Sequence, residues 1–372
     1  METTASKIKA LSSGLQAMIV TGERDYVPDP RTPISNWLVA TKLHCNGGRT
    51  VDAGLWLKKH CADGGKLFVT LSGAASSFQV GRVLSMLIRA GHVGAISCTG
   101  ANMEESLYRY VANSHYAYIP DYTDLTREQE KELDNAGLRR ITDTFLPEDE
   151  SVRVVLPKLM ELWQEASING KPMHWHEFFF ELFARRLITA DPTVNPADCW
   201  LYQALGHDIP VFVPGWEDST MGNVFTHATY AGNHAFLKKY ALETPILPGA
   251  VRRSFEYMHT LAEWYMDNAT EKKLAFLQLG GGIAADFPIC VVPHLKKDYL
   301  VDRPLAEQEA LIPTWAAFVE IHLAPMSAGS YSGAGFKEKI TWSKFAPDAF
   351  GMQIFGDYTS IFPDIAALIL GK

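Results

Sequence analysis

Residues 66–102, KLFVTLSGAASSFQVGRVLSMLIRAGHVGAISCTGAN, decide how the chain folds. Lys66–Leu71 is a short apolar run of strand length, stopped by the small-residue turn Ser72-Gly-Ala-Ala-Ser-Ser77. Val80 to Ala90 then takes up helical spacing, and His92 to Cys98 is a second apolar run closed by Thr99-Gly-Ala-Asn102. Strand, small-residue turn and helix, repeated within one stretch, form the pattern of parallel βαβ units, whose strands are covered on both faces.

The same pattern returns later. Ile209–Val213, Leu274–Leu279, Trp315–His322 and Phe350–Phe355 read as further strands, and turns rich in small residues follow at Glu217–Gly222, Gly280–Gly282, Ser327–Gly333 and Gly356-Asp357. Residues 124–190 differ, being charged and mostly helical. The expected fold is therefore a single α/β domain, a doubly wound, mostly parallel sheet with helices on both faces. It carries an N-terminal extension at 1–30 and a helical insertion at about 124–190.

Composition narrows the function classes. The 372 residues hold 42 acidic and 34 basic side chains, a net charge of −8, and 47% of residues are hydrophobic. That suits a globular enzyme and argues against a nucleic-acid binder, which needs a basic footprint for phosphate. No run of 18 apolar residues occurs, so no membrane span is expected. Five scattered cysteines without a CxxC pair point to a reduced, cytoplasmic setting rather than a disulfide framework. His174-Trp-His176 is a weak metal motif, because residues two apart do not share a helix face, and no metal is expected.

In open α/β sheets ligands sit beyond the carboxyl ends of the strands. Four such ends carry small or glycine-rich turns, suited to close approach of a pyrophosphate. GxGxxG and GxxxxGK[ST] are both absent. Asp218, Glu104, Glu105 and Asp357 stand where a carboxylate serves either a ribose hydroxyl or a helix N-terminus. Near the end of the chain, Glu338-Lys-Ile-Thr-Trp-Ser-Lys344 places a lysine two residues after a tryptophan. An amine nucleophile must be uncharged to attack, and burial against an aromatic wall favours that form; Trp342 is the expected wall. A solvated lysine beside a core tryptophan is the alternative reading of the same spacing.

The ordered series Glu217-Asp-Ser-Thr-Met-Gly-Asn223, Gly280-Gly-Gly-Ile283, Gly329-Ser-Tyr-Ser-Gly-Ala334, Glu338-xxx-Trp-Ser-Lys344 and Gly356-Asp-Tyr-Thr-Ser-Ile-Phe-Pro363 resembles the deoxyhypusine synthase family. With Leu71-Ser-Gly-Ala74 and Thr99-Gly-Ala-Asn-Met-Glu-Glu105, the likeness runs from about residue 30 to 370. The resemblance implies NAD as cofactor and an imine on Lys344. Trp342 and Glu338 would line an amine channel, and Ser72, Gly73, Thr99, Gly100, Glu105, Asp218, Gly281, Gly282, Ser332 and Asp357 would bind NAD. It also implies a homotetramer with sites at subunit interfaces, and it allows Ser6–Ile19 to be a plug over a neighbouring site, while an ordinary docking helix explains that segment as well.

Three positions depart from the family pattern. Ala285-Asp286 replaces Lys-His, leaving Asp286 as the candidate proton-transfer group. Tyr331 and Asn223 stand where acids are usual, within the substrate-binding set. The expected activity is NAD-dependent aminoalkyl transfer from a small amine or polyamine. A non-catalytic NAD-binding scaffold and a true deoxyhypusine synthase acting on a translation factor stand as alternatives.

Overall fold

The computed structural model describes residues 3–21, 33–230, 232, 234–242 and 244–372. Its centre is a six-stranded, all-parallel sheet. In chain order the strands are β1 (Lys66–Leu71), β2 (Val93–Cys98), β3 (Val211–Phe212), β4 (Leu274–Leu279), β5 (Trp315–His322) and β6 (Phe345–Phe355). In space they run β3-β2-β1-β4-β5-β6. This is the strand order of dinucleotide-binding sheets, with the order of winding reversing between β1 and β4, and a crevice opens at such a switch point.

The residues of β4 are all buried, as are those of β1 after Lys66, which is why both read as continuous apolar runs rather than alternating ones. On one face, in-register Phe68, Phe276 and Phe318 stack across β1, β4 and β5, with centroids 5.6 and 6.3 Å apart. Two residues further along the same face, Thr70, Gln278, Glu320 and Gln353 form a second in-register row. The Gln278 Nε2 donates to Glu320 at 2.6 Å and the Gln353 Nε2 donates to its other oxygen at 2.8 Å. A buried carboxyl survives in a sheet only when its lone pairs are satisfied in this way.

The stretch 124–190 is helical at Arg127–Asn135, Val152–Asn169 and Trp175–Ala184, but it also contains the strands Arg139–Ile141 and Thr144–Leu146. These join Ala117–Tyr118 and Val20–Thr21 in a small antiparallel sheet. The N-terminal helices Thr4–Lys9 and Ser13–Met18 pack there, with Ile8, Leu11 and Leu15 against Ile119, Leu133 and Phe145. Most of the span called Ser6–Ile19 is thus docked on its own chain. Residues 22–30 of the extension, and residues 31 and 32 after it, lie outside the described residues. The aromatics Trp175, Phe178, Phe179 and Phe183, with Phe180 partly buried beside them, pack in the chain's own core.

Candidate active site

The carboxyl end of β1 is braced before it can meet any ligand. The Asn102 side chain donates to the carbonyls of Leu71 and Gly73 at 3.1 and 2.9 Å, and accepts from the Ser76 amide at 2.8 Å. Thr99 caps helix Gly100–Ala112 and donates to the Gly73 carbonyl at 2.9 Å. The turn after β1 is thereby tied to the helix after β2, and Ser72 keeps a buried hydroxyl with no partner. Opposite it, across the switch point, β4 ends in Gly280-Gly-Gly282.

Those glycines line a crevice of about 470 Å³ together with His322, Tyr331, Ser332, Asp357 and Tyr358. Gly282 has φ +84°, and a Cβ there would meet nothing within 4 Å, so its backbone faces open space in a conformation kept for glycine. Gly281 is pressed against Ser332, whose Oγ would lie 2.3 Å from an added Cβ. The Asp357 carboxylate accepts from the Thr359 amide at 2.9 Å, capping the last helix, Tyr358–Leu370, while still lining the crevice. An open glycine backbone, a carboxylate and hydroxyls gathered past the ends of β4, β5 and β6, beside the switch point, fit a dinucleotide, while Ser72, Gly73, Thr99, Gly100 and Glu105 lie outside this lining.

Next to the crevice is a second cavity of about 530 Å³, lined by Asp286, Cys290, Tyr331, Glu338, Lys339, Trp342 and Lys344 among others. Five of the six residues expected at the amine site are therefore brought together. Lys344 follows helix Phe336–Thr341 through Ser343, whose φ of +61° turns the chain sharply inward. The lysine is 7% exposed, and its Nζ lies 5.7 Å from the Tyr331 ring centroid. Asp286 sits in the first turn of helix Ile283–Ile289, immediately after the triple glycine. Tyr331 belongs to both cavities and forms their shared wall.

Several expectations need correction. Trp342 borders the cavity but is 58% exposed, so the ring against Lys344 is Tyr331. Asn223 is not in the cavity: it lies exposed on helix Thr220–Thr229, its amide donating to the Ser219 carbonyl at 2.9 Å. Asp218 is likewise exposed, beyond the edge strand β3 and outside the crevice lining. Gly100 is required by packing, since a Cβ would come within 2.8 Å of Ser219. Glu104 serves as a helix cap, accepting from the Thr220 and Met221 amides at 2.9 and 2.8 Å. Glu105 is buried beside it, and burial pushes its carboxyl up to about 8. His227 lies in the last turn of helix Thr220–Thr229. His174 and His176 are bonded to Thr260 and Tyr257, and among the described residues no group of three metal-ligating side chains forms.

The sequence profile of deoxyhypusine synthase matches residues 46–369. The chain belongs to the deoxyhypusine synthase family. A protein described as "Probable deoxyhypusine synthase" from Picrophilus torridus is 25% identical over 77% of this chain and 76% of its own length. The deoxyhypusine synthase of Senecio vernalis is 22% identical over 81% of this chain and 69% of its own length. Deoxyhypusine synthases are transferases that use NAD, and this chain is a transferase of that type. Within the described residues no helix is long and apolar enough to cross a membrane.

Lys339, Glu320, Gln278 and Gln353 were not singled out by the sequence reading. Lys339 is 2% exposed, and its Nζ donates to the Ala334 carbonyl at 3.2 Å. Burial lowers the Lys339 ammonium from its usual range and raises the Glu320 carboxyl from its own. The only local signal was a charged residue at β5 within an otherwise apolar strand.

Proposed function

We propose that the protein transfers an aminoalkyl group from a small amine or polyamine through an imine on Lys344. The observation that carries this reading is a buried lysine amine whose aromatic wall, Tyr331, is shared with the glycine-lined crevice. NAD held by Gly280–Gly282, Ser332 and Asp357 would accept hydride from the carbon beside the donor nitrogen. The Lys344 lone pair attacks that oxidised carbon; a carbon–nitrogen bond forms to Nζ, and the original carbon–nitrogen bond breaks as the departing amine takes up a proton. The acceptor amine displaces Lys344 from that carbon by the same exchange, and the imine so formed would take back the hydride from the reduced cofactor, leaving the aminoalkyl group on the acceptor and NAD restored. Asp286 stands at the cavity to hold an ammonium or carry a proton, and Glu338 stands at its exposed mouth.

The lone chain leaves Trp342, Asn223 and Asp218 on its surface. This exposure supports a site completed by a second copy, and membership of the family supports a homotetramer. Replacement of the family's Lys-His by Ala285-Asp286, and of an acid by Tyr331, supports an altered small-molecule donor over modification of a translation factor.

The test is incubation with NAD and a panel of spermidine, diamines and agmatine, followed by borohydride and peptide mapping. An adduct on Lys344 that is lost in Lys344→Ala is the expected result. Tight NAD binding with no adduct from any amine would instead identify a scaffold, and transfer of label from spermidine to the hypusine-bearing translation factor would identify a protein modifier.

A further inference from the structure

The Lys339 ammonium is enclosed by two aromatic rings. Its Nζ lies 4.9 Å from the Phe318 centroid and 4.5 Å from the Tyr331 centroid. It donates to the Ala334 carbonyl, and the Glu320 carboxyl, held by Gln278 and Gln353, supplies the nearby negative charge. Two ring faces and a carbonyl make up a cation-binding cage, with the Glu320 charge acting on it from the strand behind. Here the cage is filled by the chain's own side chain, and it opens on the cavity of Lys344.

We propose that Lys339 is a specificity-determining residue: a tethered cation that fills the cage behind Lys344 and excludes donors that would place an ammonium there. The inference rests on the transferase reading and narrows its substrate class. An ammonium on the donor is left with the carboxylates of Asp286 and Glu338 near the mouth, both of which are exposed. At the inner end the donor presents an uncharged carbon chain, because a second ammonium beside Lys339 would meet like charge in a poorly solvated site.

The discriminating experiment compares Lys339→Ala and Lys339→Met with the wild-type protein, all loaded with NAD. Binding is measured by calorimetry for spermidine and for its analogue whose four-carbon arm ends in methyl instead of ammonium. The alanine variant empties the cage and is expected to gain about tenfold or more in spermidine affinity, with little change for the analogue. The methionine variant keeps the cage filled by an uncharged chain and is expected to show no such gain. Ethylammonium should raise the thermal midpoint of Lys339→Ala and not that of the wild type, a readout that stands even if the variant is too unstable to titrate. Unchanged spermidine preference in Lys339→Ala, without stabilisation by ethylammonium, overturns the proposal. Borohydride trapping on the wild type separates the two failures: a cage that behaves as described with no adduct on Lys344 from any amine removes the transferase reading alone.

Discussion

The Nζ of Lys344 faces the ring of Tyr331 at 5.7 Å, and the same ring forms part of the wall of the glycine-lined crevice. A single side chain therefore separates the proposed nucleophile from the dinucleotide region, and its hydroxyl is buried without a hydrogen-bond partner. Tyr331→Phe removes an unsatisfied group while keeping the ring. Stability is expected to stay level or rise by up to about 1 kcal/mol in urea melts, since losing an unpaired buried hydroxyl costs nothing. Tyr331→Ala removes the wall and is expected to lower borohydride-trapped adduct at least about tenfold, equivalent to about 1.4 kcal/mol.

Gly281 and Gly282 should respond differently to a methyl group. Gly281→Ala meets the Ser332 Oγ at 2.3 Å. Displacing that hydroxyl costs about 1–3 kcal/mol as overpacking and is expected to weaken NAD binding, measured by fluorescence titration. Gly282→Ala meets no atom, but its φ of +84° is hostile to alanine, at a cost of about 1–3 kcal/mol in stability. Equal NAD affinity for both variants and the wild type would remove the glycines from the cofactor site.

Gln353 joins β6 to the turn that carries the cavity wall. It donates to Glu320, and its oxygen accepts from the Phe336 amide at 3.0 Å at the start of the helix leading to Lys344. Gln353→Leu leaves a buried carboxyl short of a donor and is expected to destabilise by about 2–4 kcal/mol. A denaturation midpoint within error of the wild type would mean that the row across the sheet contributes nothing to holding that turn.

Stability should be highest between about pH 4.5 and 6.5 and fall on either side. Burial raises Glu104 to about 7 and Glu105 to about 8, above their usual carboxyl values. A raised carboxyl favours the folded state at acid pH, and that advantage fades as pH climbs from about 4.5 through 8. Burial lowers His174 to about 4 and His176 to about 3. Their contribution is complete above about 6.5 and is lost as pH falls toward those values. Each group contributes a slope of at most about 1.4 kcal/mol per pH unit. Thermal melts from pH 4 to 9 check the shape: Glu105→Gln should flatten the alkaline limb and His176→Phe the acid limb.

The residues alone determined the strands β1, β4 and β5 to their ends, the helix that follows β1, and the presence of a lysine nucleophile candidate two residues after a tryptophan. Apolar runs and small-residue turns are local features, set by burial on two faces and by backbone freedom at strand ends. What the tertiary structure decided was which of these ends meet. Strand order placed Ser72 opposite Gly280 and left Asp218 beyond the edge, and the inward turn at Ser343 put Tyr331, not Trp342, against Lys344. Lys339 looked like any helix-surface lysine because nothing in its neighbours along the chain signals Glu320, which arrives from another strand. A charge on a helix that is compensated by one on a strand beneath it depends on packing between elements distant along the chain, and that information exists only once the chain has closed around them.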